Sequence, residues 1–286
     1  MALRDTRPAA ATRPAMAMGG RFIPQGYDQA MRTGQPVTTG RVFRRAVVAA
    51  LVIAVATSTG ASGSPAGLDV ARRGQSVQLR QLPTVPAPFA APRVKWPAAG
   101  QVALTFDDGP CAKKTRRTVD VLGDTPATFF VVGGQIRRST SEVVFTASRG
   151  HSIQNHTMDH PRLRGLDGPR ILNQLDTTAA LIEQHVGVRP TVYRPPYGST
   201  DSRVRAITSA AGWFEAMWNG GAPRMESGAS SIIGGVRSQM KRARGANHGL
   251  VLLFHDCSGN FGGMIEALPT VISMLRADGW EFVTFG

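Results

Sequence analysis

Two adjacent carboxylates, Asp107 and Asp108, close an apolar run in Thr105-Phe106-Asp107-Asp108-Gly109-Pro110. Two acids just past an apolar strand are costly unless something pairs with them, and a metal ion is the simplest partner. Asp, Gly and Pro also favour turns, so a plain turn is the alternative reading. Two histidines, His156 and His160, follow another short run. Residues four apart project from one side of a helical turn, which would let both imidazoles reach one cation. Two histidines and one aspartate leave an open position for water, as a catalytic zinc site requires. Pairs at this spacing also arise incidentally. Arg194-Pro195-Pro196-Tyr197-Gly198 offers a rigid turn beside a cation able to pair with a carboxylate. His255 directly follows the apolar Leu252-Leu253-Phe254 and is a general-acid candidate. A tight turn or a satisfied core residue is the alternative for each. His151, His185 and His248 lack such company and read as structural or surface residues.

The elements that must position these groups alternate along the chain. Apolar runs of strand length cover 101–106, 127–132, 151–155, 191–194, 213–218, 250–254 and 281–285. Stretches of helix length lie between them, over 114–122, 139–148, 169–185, 203–211, 230–244 and 264–277. The clearest helix, 169–185, carries Ile171, Leu172, Leu175, Leu181 and Ile182 at helical spacing. Repeated alternation implies an α/β protein with a parallel sheet and helices outside it. Seven strands suggest a distorted TIM-like (β/α)7 barrel, and a doubly wound open sheet is the alternative. In such a barrel chemistry sits at the C-terminal ends of the strands, where the residues above fall. No Gly-rich fingerprint follows the first strand, so nothing points to a nicotinamide cofactor.

The chain has 286 residues, 42% hydrophobic and 18% charged, which suits a globular protein. Its formal charge of +14 is concentrated in the tail: residues 1–97 hold 13 Lys and Arg against 3 acids, and residues 98–286 hold 20 against 16. With no zinc-finger spacing and no basic helix with interleaved aromatics, a nucleic-acid partner is not expected. Residues 1–40 read as a disordered basic extension. Residues 41–61 place Arg41, Arg44 and Arg45 before an apolar run at 46–56 and a small-residue exit, the pattern of a secretory signal peptide. The apolar run is well short of the ~20 residues a spanning helix needs. An uncleaved membrane tether is the alternative, but no stable membrane span is expected in the mature protein. Residues 62–97 have the Pro/Ala-rich composition of a linker. The catalytic domain is expected over 98–286, secreted or at the cell surface, as a monomer.

Taken together, residues 105–110, 156–160, 194–198 and 253–256 resemble, in order, the motifs of the polysaccharide deacetylase family, also called the NodB-homology or carbohydrate esterase 4 family. The resemblance covers roughly 98–286. It implies that Asp108, His156 and His160 hold one divalent metal ion, zinc foremost, with cobalt, nickel or manganese as alternatives. It implies that Asp107 is the general base, held by Arg194. The backbone N–H of Tyr197 would stabilise the oxyanion and His255 would protonate the departing amine. Leu253, Tyr197 and Trp218 would contact an acetylated polysaccharide, cleaved at N-acetyl or O-acetyl groups.

One departure from the family pattern stands out. The Asp-Trp pair expected after the fifth strand aligns with Arg224 and Met225. In the family that aspartate adjusts the acid histidine, and Glu226 or Glu215 are the candidate substitutes here. The alternative function is therefore a catalytically weakened glycan- or metal-binding protein. Cys111 directly follows the first motif and Cys257 the last. If both loops crown one barrel face, the two sulfurs are expected to form a disulfide.

Overall fold

The computed structural model describes residues 93–221, 228–257, 259 and 261–286. The basic extension, the signal segment, nearly all of the linker, and Arg224, Met225 and Glu226 lie outside the described residues. The elements run β1 (Arg93–Val94), β2 (Gln101–Asp107), α1 (Lys114–Leu122), β3 (Thr128–Val131), α2 (Gly133–Arg138), α3 (Thr140–Ser148), β4 (Ser152–Asn155), α4 (Gly168–Val186), β5 (Val192–Tyr193), α5 (Ser202–Ala210), β6 (Phe214–Glu215), β7 (Gly220–Gly221), α6 (Ala229–Gly245), β8 (Leu250–His255), α7 (Phe261–Ala277), β9 (Glu281–Phe282) and β10 (Thr284–Phe285). Short 3-10 turns occupy Leu163–Gly165 and Pro196–Gly198.

The main sheet is parallel throughout, in the order β6-β5-β4-β3-β2-β8-β7. No ladder joins β6 to β7 among the described residues, so the expected barrel is curled but open along that seam. Strand side chains alternate between faces, and the alternation separates two apolar layers. Leu104, Phe106, Phe129, Leu252 and Phe254 face the helices and pack with Val119, Leu122 and Leu268. Ala103, Phe130, Val192, Ala216, Val251 and Phe285 fill the inside. Phe106 is stacked between Phe129 and Phe254, with ring centroids at 5.0 and 5.6 Å. The register pairs Thr105 with Leu253 and Asp107 with His255, so these four share the inner face with Ala103 and Val251.

Helix boundaries follow local chemistry. Asp167 accepts a hydrogen bond from the Arg170 N–H to start α4, and Gly187 at φ 80° ends it in the left-handed region. Asp201 caps α5 through the Val204 N–H. Several expectations need correction. Gly133–Arg138 is helical although its two leading glycines gave no such signal; the Gly133 and Gly134 N–H groups instead bond the Thr157 and Met158 carbonyls. The strand expected over 213–218 is only two residues long, because Arg194 draws the Ala216 and Met217 carbonyls inward. The strand expected over 281–285 is two: β9 pairs with β2, while β10 pairs with β1, which lies in the stretch expected to be linker. The Phe285 carbonyl accepts from Ser152 and Gln154, and its N–H donates to Thr128, which ties this segment to β3 and β4. Among the described residues, no helix is long and apolar enough to cross a membrane.

Phe106 is fully buried between two rings, so Phe106→Ala is expected to cost about 3–5 kcal/mol. Its urea unfolding midpoint should fall accordingly, with the m-value unchanged.

Candidate metal centre and active site

Asp107 is the last residue of β2 and points inward by strand alternation. Asp108 follows at φ 75°, which turns its carboxylate toward the two histidines. His156 comes directly after β4 and His160 four residues later, but the connecting segment is not the helical turn expected from the spacing. Thr157 and His160 both have positive φ, 70° and 59°. Polar side chains impose that shape. Asn155 is fully buried, takes the Thr157 N–H on its Oδ1, and donates to the Leu175 carbonyl. Gln174 on α4 accepts from the N–H groups of Met158 and Asp159. The folded segment brings the two imidazole centroids to 5.0 Å.

Asp108, His156 and His160 offer three ligand atoms within 4.8 Å of one another. Asp108 Oδ1 lies 3.1 Å from His160 Nε2 and 3.5 Å from His156 Nε2. Bonds of ~2.1 Å at a tetrahedral angle put neighbouring ligands about 3.4 Å apart, so the spacing fits one small divalent ion. His156 Nδ1 lies 2.8 Å from the Arg194 carbonyl. That contact places the ring proton on Nδ1 and leaves the Nε2 lone pair facing Asp108. His160 Nδ1 meets the Tyr197 hydroxyl at 3.2 Å. The donor set, two nitrogens and one carboxylate oxygen, is one that can hold a divalent ion with a position left open.

Arg194 is completely buried inside the barrel. Its Nη1 donates to Asp107 Oδ1 at 2.7 Å and to Thr105 Oγ1 at 2.8 Å. Its Nε donates to the Ala216 carbonyl and its Nη2 to that of Met217. The guanidinium also stacks over Phe130 at 4.1 Å. Burial opposes its charge and Asp107 favours it. Asp107 Oδ2 is left facing the candidate metal cluster, 3.8 Å from His156 Nε2.

Tyr197 adopts φ 58° at the turn after β5. The residue is 60% exposed, and its backbone N–H has no acceptor among the described residues. Leu253 and His255 are half-buried on the inner face of β8. Trp218 packs 5.8 Å from the Arg194 guanidinium and against Gly198, so it braces the 194–198 turn. Cys111 and Cys257 are joined in a disulfide with Cα atoms 5.5 Å apart. His151 is buried against Phe129, and burial together with Arg149 pushes its imidazole down to about 4. His185 is half-buried and His248 exposed.

Glu215 does not substitute for the missing aspartate. Its carboxylate accepts from Tyr193 at 2.8 Å and Thr200 at 2.5 Å, and it lies near Arg205. No described residue hydrogen-bonds the His255 ring.

The roles of two motif residues escaped the sequence reading. Thr105 Oγ1 links Arg194 to the Leu252 carbonyl; a hydroxyl inside an apolar strand was the available signal. Asp256 is fully buried, with Thr115 donating to its Oδ2 and no partner for its Oδ1 among the described residues. Its carboxyl lies against Gly109, where an added Cβ would fall 2.7 Å from Oδ1. The glycine of the first motif therefore allows a close approach as well as a turn.

Comparison with known proteins agrees with the family resemblance and the fold. The polysaccharide deacetylase family model matches residues 96–215. Peptidoglycan-N-acetylglucosamine deacetylase PgdA of Listeria monocytogenes is 29% identical over 211 residues, 73% of this chain and 42% of that protein. PdaC of Bacillus subtilis, named a peptidoglycan-N-acetylmuramic acid deacetylase, is 30% identical over 186 residues, 64% of this chain and 37% of that protein. The solved PdaC structure is 30% identical with a TM-score of 0.56, covering 65% of this chain and 88% of the solved one. The structure of the Bc1960 peptidoglycan N-acetylglucosamine deacetylase is 28% identical with a TM-score of 0.61, covering 66% and 89%. This chain belongs to the polysaccharide deacetylase family. Its matching stretch spans less than half the length of the PgdA and PdaC proteins.

Burial, reinforced by the charges of Asp108 and Asp107, pushes the Asp256 carboxyl up to about 7 from 3.8, against the opposing hydrogen bond from Thr115. The folded chain then holds this proton where the unfolded chain has lost it. The resulting stability is complete below about pH 4 and is lost as pH rises through about 7. Asp256→Asn keeps the shape of the protonated acid without titrating. Between pH 5 and pH 8 the metal-free variant should gain on the metal-free wild type by on the order of a few kcal/mol, measured by urea unfolding at each pH.

Proposed function

We propose that the chain is an exported, metal-dependent hydrolase that removes N-acetyl groups from the sugars of a cell-wall glycan. The observation that carries this reading is the Asp107 carboxylate, fixed on one oxygen by buried Arg194 and open on the other beside the Asp108, His156 and His160 cluster. The names of the relatives support the substrate class, and the Cys111–Cys257 bridge supports an oxidising compartment.

Asp108, His156 and His160 would hold the ion, zinc by donor set. When bound, a divalent ion supplies Lewis acidity toward the acyl oxygen and lowers the pKa of water. The chain's own groups do the rest. Asp107 Oδ2 takes a proton from the attacking water. Arg194 holds that carboxylate in place, and the pairing keeps the buried guanidinium from being left uncompensated. The Tyr197 N–H is free to donate to the oxygen that gains charge as the tetrahedral centre forms. His255, opposite Asp107 in the β2–β8 register, gives a proton to the nitrogen as the C–N bond breaks, so acetate and a free amine leave. Leu253, two residues before His255 on the same face, provides an apolar wall for the acetyl methyl.

A second reading, a glycan- or metal-binding protein of low turnover, is favoured by one observation: no described residue orients His255, and the aspartate expected to do so is absent. The two are separated by acetate release from the full chain with N-acetylglucosamine oligomers, peptidoglycan and O-acetylated xylan, alongside zinc titration. Asp107→Asn is expected to lower kcat about 10²–10⁴-fold while still binding one zinc, whereas His156→Ala should lose the zinc. Equal, near-zero release from wild type and Asp107→Asn, with zinc bound to both, would instead establish the binding protein.

A further inference from the structure

We infer that Arg162 is a specificity-determining residue, selecting acetylated glycans that carry a carboxylate beside the acetamido group. This rests on the deacetylase reading of the site and deepens it. Arg162 stands two residues after the ligand His160 and is exposed. Its neighbour Leu163 is fully buried and anchors the backbone at this point. The guanidinium lies over the Tyr197 ring, 4.3 Å from its centre. That ring packs on His160 at 4.7 Å and its hydroxyl touches His160 Nδ1. A single aromatic ring thus separates a surface cation from a ligand of the metal centre.

The cation is not consumed by the protein. Arg162 pairs with no acid among the described residues, and the acids of the neighbouring loops are engaged elsewhere. Asp159 accepts from Gln174 at 2.8 Å. Asp201 caps α5 and lies 3.5 Å from Arg164. Arg194, by contrast, makes four hydrogen bonds inside the barrel. A guanidinium held over an aromatic face still has N–H groups to donate outward, and that fork matches a carboxylate bidentately. A neutral sugar offers only hydroxyls there. Stacking also holds the long side chain in place, which lowers the entropy cost of ordering it on binding.

Two sources could supply the carboxylate: the lactyl ether of an N-acetylmuramic residue, or a peptide stem attached to it. The test uses the full chain loaded with zinc. Three substrates are compared: neutral N-acetylglucosamine oligomers, glycan strands stripped of peptide, and strands with stems intact. With Arg162→Gln, the preference for carboxylated over neutral substrate, as a ratio of kcat/KM, is expected to fall about tenfold, carried by KM. Arg162→Lys should recover part of it. The wild-type preference should also shrink as salt rises. A response confined to strands with stems identifies the stem as the source, and one confined to stripped strands, where loss of the amide frees the lactyl carboxylate, identifies the lactyl group; a response to both shows that either carboxylate is accepted. An equal loss on neutral and carboxylated substrates would overturn the inference, since Arg162 would then only pack Tyr197. Equilibrium binding of the same glycans to Asp107→Asn, with and without Arg162→Gln, gives a readout independent of turnover. Discrimination lost with Arg162→Gln sustains the inference even if no acetate is released and the deacetylase reading fails. No discrimination in binding overturns it whatever the turnover.

Discussion

A guanidinium sits where the inside of a small barrel ordinarily holds an aliphatic side chain. Arg194 has no access to solvent, and a charge in that position is tolerable only when paired and fully hydrogen-bonded. Asp107 supplies the countercharge, and Thr105, Ala216 and Met217 supply three further acceptors. The same residue then organises its surroundings. Its carbonyl fixes His156, its side chain fixes Asp107, and its need for the Ala216 and Met217 carbonyls cuts β6 short. The Asp107 carboxylate, the His156 ring and the sheet edge all depend on one ion pair. Removing either partner leaves the other buried and unpaired, at about 3–5 kcal/mol.

Around that pair the backbone is held in conformations it would not choose. Of six non-glycine residues with positive φ among those described, four are Asp108, Thr157, His160 and Tyr197. Such residues cost of order 1–3 kcal/mol each and persist only where the surroundings over-determine them. Here Asn155 and Gln174 fix the histidine segment from below, and the Cys111–Cys257 bridge joins the loops that flank Asp108 and His255. Strain, buried charge and the free Asp256 oxygen collect at one end of the strands, while the other end is closed by apolar contacts and ladder hydrogen bonds.

The fold was legible because its signals are repetitive. Strand and helix periodicity placed the helices within a few residues, and the ends of β2, β4, β5 and β8 carried the residues that meet. The clustering of Asp108, His156 and His160 was legible from residue type, but the reason given for it was wrong. Spacing alone suggested a helical turn at 156–160, whereas Asn155 and Gln174 impose an irregular one, and neither contact has a sequence signature. The two-residue β6 was hidden because an apolar run is silent about a distant arginine drawing its carbonyls away. The role of Asp256 was hidden for a related reason. Its character comes from burial against Gly109 and from Thr115, which only tertiary packing brings together.

Strict alternation along β2 has a further consequence, for how the gene can change. Leu104 and Phe106 belong to the layer under the helices, and Thr105 and Asp107 to the inside. Inserting or deleting one codon within this strand would exchange the two sets. Phenylalanine would then meet the guanidinium and carboxylate would meet leucine. The strand is therefore closed to changes in length, though individual side chains can still be exchanged. Variation in length is left to the loops beyond the strand ends, which is where a glycan would be met.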